Sequence, residues 1–225
     1  MFIGHWAPAL AAAAVSRRAP KLGMAFLAAQ LVDWAFFALA IFGIENMGIE
    51  PGITAMNPMD LYDLPYTHSL AGTAAFAAGF GILLWIGRSD PVTGLWGAGI
   101  VMSHWVLDLV THRPDLTLVG SAAEGARTFG LGLWNHPWIA MPLEIGIVLA
   151  AFFFYLSKTR GPVAPPLILL FLLLAMQAIN WFGPEPPEAN IGLYLSALAA
   201  FALVTIVAMW VGTTRRHRLH LGMSA

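Results

Sequence analysis

Apolar runs, each closed by proline, glycine or charge, follow one another along the whole chain. Their bounds predict about seven helices, over 2–16, 22–44, 66–87, 92–112, 134–157, 163–182 and 190–212. A spanning helix needs about 17–25 residues. The first run is short, so it is expected to be partly embedded or tilted against its neighbours, and a six-helix arrangement stays open. Pro91, Pro137 and Pro165-Pro166 stand near the starts of the fourth, fifth and sixth runs. Proline is at home there, because the first turn of a helix has no use for its missing N–H. The expected fold is all-α: a polytopic transmembrane helical bundle forming one domain over 1–225. Within it, 1–157 carries the polar motifs, and 158–225 supplies two scaffold helices and a basic tail. The sixth run, with Leu167 to Ala175 almost featureless, is expected to face lipid. Two longer connections, about 45–65 and 113–133, are rich in glycine, proline and polar residues and are candidate lids.

Composition strengthens the membrane reading. The chain is 59% hydrophobic and only 10% charged, with a mean hydropathy of +0.73. A soluble domain carries about 25% charged residues. The net charge of −1 gives no reason to expect nucleic acid as a partner. Cysteine is absent, which excludes disulfides, thiolate catalysis and Cys-ligated zinc. Any metal must be held by His, Asp, Glu, Asn or backbone oxygen. The apolar run Phe2 to Val15 precedes Arg17, Arg18 and Lys21, the reverse of a cleavable signal, so a retained first helix with its N-terminus outside is expected.

Basic residues then set the orientation. With the N-terminus outside and alternating helices, the inner segments are 17–21, 88–91, 158–162 and 213–225. They hold Arg17, Arg18, Lys21, Arg88, Lys158, Arg160, Arg215, Arg216 and Arg218, nine of the eleven Lys and Arg. His217 and His220 join that inner tail and are expected to be solvated. Arg113 and Arg127 remain outside, with Glu45, Glu50, Asp60, Asp63, Asp115, Glu124, Glu185 and Glu188. The C-terminus is expected in the cytoplasm.

The apolar runs contain few ionisable residues: His5, Asp33, His68, His104, Asp108, His112, His136 and Glu144. Such residues inside a membrane mark function by default, because burying them is costly. His104, Asp108 and His112 stand four apart, so a helix stacks them on one face. On the expected topology most of the set lies towards the outer face, with Asp33 deeper. His nitrogen combined with Asp oxygen suits a divalent metal, zinc first, with manganese or iron also matched. Asp108 could bridge two ions. His112 is a candidate catalytic or supporting residue, as is Asp108. Arg113, at the outer end of the fourth helix, is a candidate for binding an anionic headgroup of a substrate. Plainer roles stay open for each: a hydrogen bond along one helix face for His104 and Asp108, a helix start capped by Thr67 or Ser69 around His68, an interfacial position for His5, and structural hydrogen bonding for His136 and Glu144. Asp33, between Val32 and Trp34, has no evident local partner.

Gly4-His5, Asp33, Thr67-His68-Ser69-Leu70 and Ser103-His104-x3-Asp108 occur in the same order as in the YdjM-like family of predicted membrane-bound metal-dependent hydrolases, which residues 1–145 resemble. The resemblance implies an inner-membrane hydrolase with a His/Asp metal site whose ligands are His5, Asp33, His68, His104 and Asp108. A more distant similarity is to zinc-dependent phospholipase C, with His, Asp, His and a His-x3-Asp pair in that order; it implies phosphoester chemistry. The chain departs from the family pattern where Asp-x-Asp-His is reduced to Asp33 followed by Trp34, and where Pro65-Tyr66 replaces Arg-Gly before Thr67.

The leading expectation is thus a multi-pass protein of the bacterial inner (cytoplasmic) membrane. It would use a metal-activated water to hydrolyse an amphiphilic or lipid-linked ester or phosphoester at the outer leaflet. Its partners would be membrane lipids or a lipid-linked substrate. The rivals are a non-enzymatic accessory subunit of a membrane complex, a haem-binding subunit using His68 and His104 as axial ligands, and an ion-coupled transporter.

Overall fold

The computed structural model describes residues 1–122, 125 and 127–218. Glu124 and His220, assigned above to the outer loop and the inner tail, lie outside the described residues. The chain opens with a 3-10 turn, Ile3–Trp6, that runs into α1 (Ala7–Val15). There follow α2 (Leu22–Ala29), α3 (Leu31–Ile41), α4 (Leu70–Arg88), α5 (Pro91–Thr111), α6 (Pro137–Lys158), α7 (Ala164–Phe182) and α8 (Ile191–Thr214). Among the described residues, α4, α6, α7 and α8 are long and apolar enough to cross a membrane. The pair α2 and α3, bent by 55° at Gln30, makes a fifth candidate if counted as one span. Helix α5 is of spanning length but less apolar, because it carries the polar stripe. The architecture is a helical bundle, mostly as the apolar runs predict.

Helix α1 is too short to span, and it is not peripheral. Ala9, Leu10, Ala12 and Ala14 are buried, and the helix packs against α6, α2 and α5. Its run of alanines lets those neighbours approach closely, the usual device where apolar burial alone cannot drive helices together in lipid. The α4–α5 hairpin uses glycine for the same end. A Cβ on Gly94 would meet the Gly81 carbonyl oxygen at 2.6 Å, and one on Gly97 would collide with the Leu84 side chain.

Three differences from the sequence expectation matter for the site. The run 22–44 breaks at Gln30 into two helices, without a proline or glycine to mark the break. The third helix starts at Leu70, with the Ser69 hydroxyl accepting from the Gly72 N–H (3.1 Å), which leaves Thr67 and His68 in the turn before it. His136 precedes α6 and is exposed, so it shares no helix face with Glu144.

The lids contain short strands that hydropathy does not reveal. β1 (Asn46–Ile49) and β2 (Met59–Asp63) form an antiparallel hairpin, and β3 (Leu116–Thr117) pairs with β4 (Thr128–Phe129). At the opposite end, β5 (Thr159–Arg160) pairs with β6 (Arg216–His217). There Arg215 donates to the carbonyls of Thr159, Gly161 and Pro162, clasping the connection between α6 and α7.

Candidate metal centre

Four segments bring one side chain or more each to a common point. The 3-10 turn supplies His5, the first turn of α3 supplies Asp33, the turn before α4 supplies His68, and α5 supplies His104 and Asp108. His5 Nε2 lies 3.0 Å from Asp108 Oδ1, and His104 Nε2 lies 3.1 Å from Asp108 Oδ2. Asp33 Oδ1 lies 3.1 Å from His68 Nε2 and 3.4 Å from His104 Nε2. His68 Nε2 is 3.9 Å from Asp108 Oδ2. His5, His104 and Asp108 are all but inaccessible, at 1%, 1% and 2%. All five residues named as ligand candidates from the sequence therefore meet in one cluster, Asp33 included. His112 joins it from the end of α5, with Nε2 3.3 Å from Asp108 Oδ1. The nitrogen of Met1 lies 3.3 Å from the same oxygen.

What stands behind each imidazole decides which nitrogen carries its proton. His104 Nδ1 lies 2.9 Å from the Ala29 carbonyl oxygen. A carbonyl only accepts, so Nδ1 donates, and in the neutral ring the lone pair sits on Nε2. The Glu45 side chain is wholly buried and takes the backbone N–H of Tyr66 and Thr67 on one oxygen and the Thr67 hydroxyl on the other. The single hydroxyl proton of Thr67 is thereby spent, and Thr67 Oγ1 must accept from His68 Nδ1 at 2.8 Å. The lone pair of His68 also falls on Nε2. His112 Nδ1 lies 3.0 Å from Asp115 Oδ1, which repeats the pattern.

As neutral rings, three imidazoles thus turn their lone pairs towards two carboxylates, Asp108 buried and Asp33 partly buried. His104 Nε2 and Asp108 Oδ2 are buried without a hydrogen-bond partner although they are 3.1 Å apart. With neutral rings this sets acceptor against acceptor, which is unfavourable unless a proton or a metal ion places positive charge between them. A divalent cation would supply that charge to several of these donors at once. Two sets, His5–His104–Asp108 and Asp33–His68–His104, each place three donor atoms within 4.8 Å of one another. At metal–ligand lengths of about 2.0–2.2 Å, tetrahedral partners stand about 3.4 Å apart. The residues fit such an ion in type, spacing and tautomer.

The local fold explains the convergence. The break at Gln30 ends α2 at Ala29, so the Ala29 carbonyl is free of a helical partner and receives His104. It also starts α3 two residues before Asp33, whose Oδ2 accepts from Gln30 Nε2 at 2.6 Å. Gln30 is thus the local partner that the sequence did not reveal. His5 is held from behind by Glu144 of α6, whose Oε1 accepts from the N–H groups of Phe2 (2.6 Å) and Gly4 (3.0 Å). Gln177 of α7 accepts from Ile3 N–H at 3.2 Å, so the helix expected to be featureless reaches the site's supports. The loop after β4 caps α5: Leu131 N–H donates to the Leu109 carbonyl and Gly132 N–H to that of His112. Trp134 stacks on the His112 ring, with centroids 4.3 Å apart.

Arg113 stands apart from the cavity beside the cluster. Its guanidinium pairs with Asp60 of β2 and approaches Asp115 at 3.5 Å, tying the β1–β2 hairpin to the end of α5. Glu45, Asp115, Gln30 and Gln177 were not among the sequence candidates. Asp115, three residues beyond His112, carried a local signal in that spacing; the other three acquire their roles only through the tertiary fold. Comparison with family models, with curated proteins and with solved structures finds no match to this chain.

Proposed function

We propose that this chain is a metal-dependent hydrolase of the bacterial inner membrane that cleaves an ester, in particular a phosphoester, in an amphiphilic or lipid-linked substrate. The observation that carries the reading is the convergence of the Nε2 atoms of His68, His104 and His112 on Asp33 and Asp108, with each Nδ1 held by a hydrogen-bond partner behind it. His5, Asp33, His68, His104 and Asp108 would hold the ion, with zinc the first choice for a His/Asp set and manganese or iron also matched. Such an ion, when bound, acidifies water towards neutral pH and polarises a phosphoryl or carbonyl oxygen. The chain's own residues do the rest. Asp115 fixes the His112 ring so that its Nε2 faces the cluster, where it can take a proton from water and return one to a leaving oxygen. Glu45, through Thr67, holds His68; Glu144 holds the turn that bears His5.

Positive residues at the α6–α7 and C-terminal end support an orientation with that end in the cytoplasm and the cluster opening to the outer leaflet. A porphyrin between His68 and His104 is disfavoured by the Asp33 carboxylate, which contacts both rings. The test is hydrolysis of bis(p-nitrophenyl) phosphate by untagged protein in nanodiscs, before and after chelation. Turnover that disappears with chelator, returns with zinc or manganese and is lost in Asp108→Asn supports the reading. Metal-replete protein without turnover on phosphodiester or carboxylic-ester probes overturns the hydrolase reading and leaves an accessory subunit in its place.

A further inference from the structure

The cluster is one end of a larger space. A cavity of about 430 Å³ begins at Asp33, His68, Asp108 and His112 and continues away from them between helices. Beyond them the walls are mostly apolar, with Phe36 of α3, Ile179 of α7, and Leu193, Ala197, Ala200 and Phe201 of α8, and with Asn57, Asn180 and Ser196 as polar exceptions. Met59 and Leu61 of β2 close it on the hairpin side. Leu193 and Phe201 stand eight positions apart, or about 12 Å along the helix. The room along that wall comes from Ala197 and Ala200, which leave space that larger side chains would fill. Phe201 is fixed in place by a nest of rings, with centroids 5.9 Å from both Trp34 and Phe37 and 6.5 Å from Phe2.

We infer that this cavity binds a single hydrocarbon chain, and that the substrate of the metal centre carries its scissile ester at the head of that chain. The inference rests on the hydrolase reading for the head only; the chain site stands on the cavity itself. A ligand whose polar part meets the cluster must lay the remainder of its length against aromatic and aliphatic walls. Against so few polar side chains, a sugar, nucleotide or peptide would leave most of its polar groups unpaired, at a cost of a few kcal/mol each. An alkyl or prenyl chain has none to lose. The mouth points the same way. Ile179 and Ser196 line the cavity and are exposed, on two helices apolar enough to lie in lipid, so a chain can enter sideways from the bilayer. A second apolar hollow, beside Gly72, Ala75 and Phe76 of α4, contains no residue of the cluster and serves as an internal control.

The experiment uses full-length protein in nanodiscs and a decyl phosphate bearing a terminal diazirine, photolysed and mapped by mass spectrometry, with bound metal measured on the same samples. The expected result is labelling on α3, α7 and α8 around Phe36, Ile179 and Ala200. It should fall at least tenfold in Ala200→Phe, and again in Ser196→Phe at the mouth, with metal content unchanged. Labelling confined to the α4 hollow or to outward lipid-facing positions, or labelling indifferent to both substitutions, overturns the inference. Cavity labelling in protein that holds no metal sustains the chain site while removing the hydrolase reading. Metal-replete protein labelled elsewhere does the opposite.

Discussion

Thr67 has one hydroxyl proton and two neighbours that compete for it. Glu45 takes the proton, and His68 Nδ1 must then donate to the oxygen. This small arrangement sets which way the His68 Nε2 lone pair faces in the cluster, and where such a ring ligates a metal its neighbours typically change affinity by about 10–100-fold. Thr67→Val and Glu45→Gln should each weaken metal binding by about that factor in competition with a fluorescent chelator. Affinity equal to wild type in both would show that the chain Glu45–Thr67–His68 does not orient the ligand. At this scale the sequence was informative about the residues that face inward and silent about those behind them. His5, Asp33, His68, His104 and Asp108 were legible because an ionisable residue in an apolar run stands out. Glu45 and Asp115 lie in polar loops, where a carboxylate is unremarkable until the fold buries it.

Helices were the most legible elements, because their apolar runs have clear ends. The run 163–182 corresponds to Ala164–Phe182, and 92–112 to Pro91–Thr111. The break at Gln30 was not legible, since Leu-Ala-Ala-Gln-Leu-Val reads as uninterrupted helix and the bend depends on Asp33 and His104 engaging groups near it. The hairpin β1–β2 was hidden because its strands are four and five residues long and carry no clean alternation. Packing between α4 and α5 is an element-scale property that can be tested without touching the cluster. Gly94→Leu must displace the Gly81 backbone and should destabilise the protein by about 1–3 kcal/mol. Gly99→Leu, on the same helix with open space around its Cβ position, should be close to neutral. Thermal unfolding in detergent compares the two; equal melting temperatures would mean that α4 and α5 are not held at this glycine contact.

For the whole molecule, the arrangement joins a polar cluster, an apolar cavity and a lid. The β1–β2 hairpin lies over the cavity and is tied to α5 by the Asp60–Arg113 pair, so access to the cluster depends on loops as well as helices. Which side those loops face is open to a clean measurement, because the chain has no cysteine of its own. In intact cells, Ala55→Cys in the hairpin loop should react with a membrane-impermeant maleimide, and His217→Cys in β6 should react only after permeabilisation. The reverse pattern would invert the orientation and place the cluster on the cytoplasmic side.

The central claim is that His5, Asp33, His68, His104 and Asp108 form a metal centre. Anomalous diffraction from crystals of untagged protein, collected above and below the zinc edge, tests it most directly, with the manganese and iron edges as companions. The predicted result is a peak about 2.0–2.2 Å from His104 Nε2 and from a carboxylate oxygen of Asp33 or Asp108, absent in His104→Ala. Wild-type crystals grown with excess zinc, manganese or iron that show no peak within the cluster would contradict it.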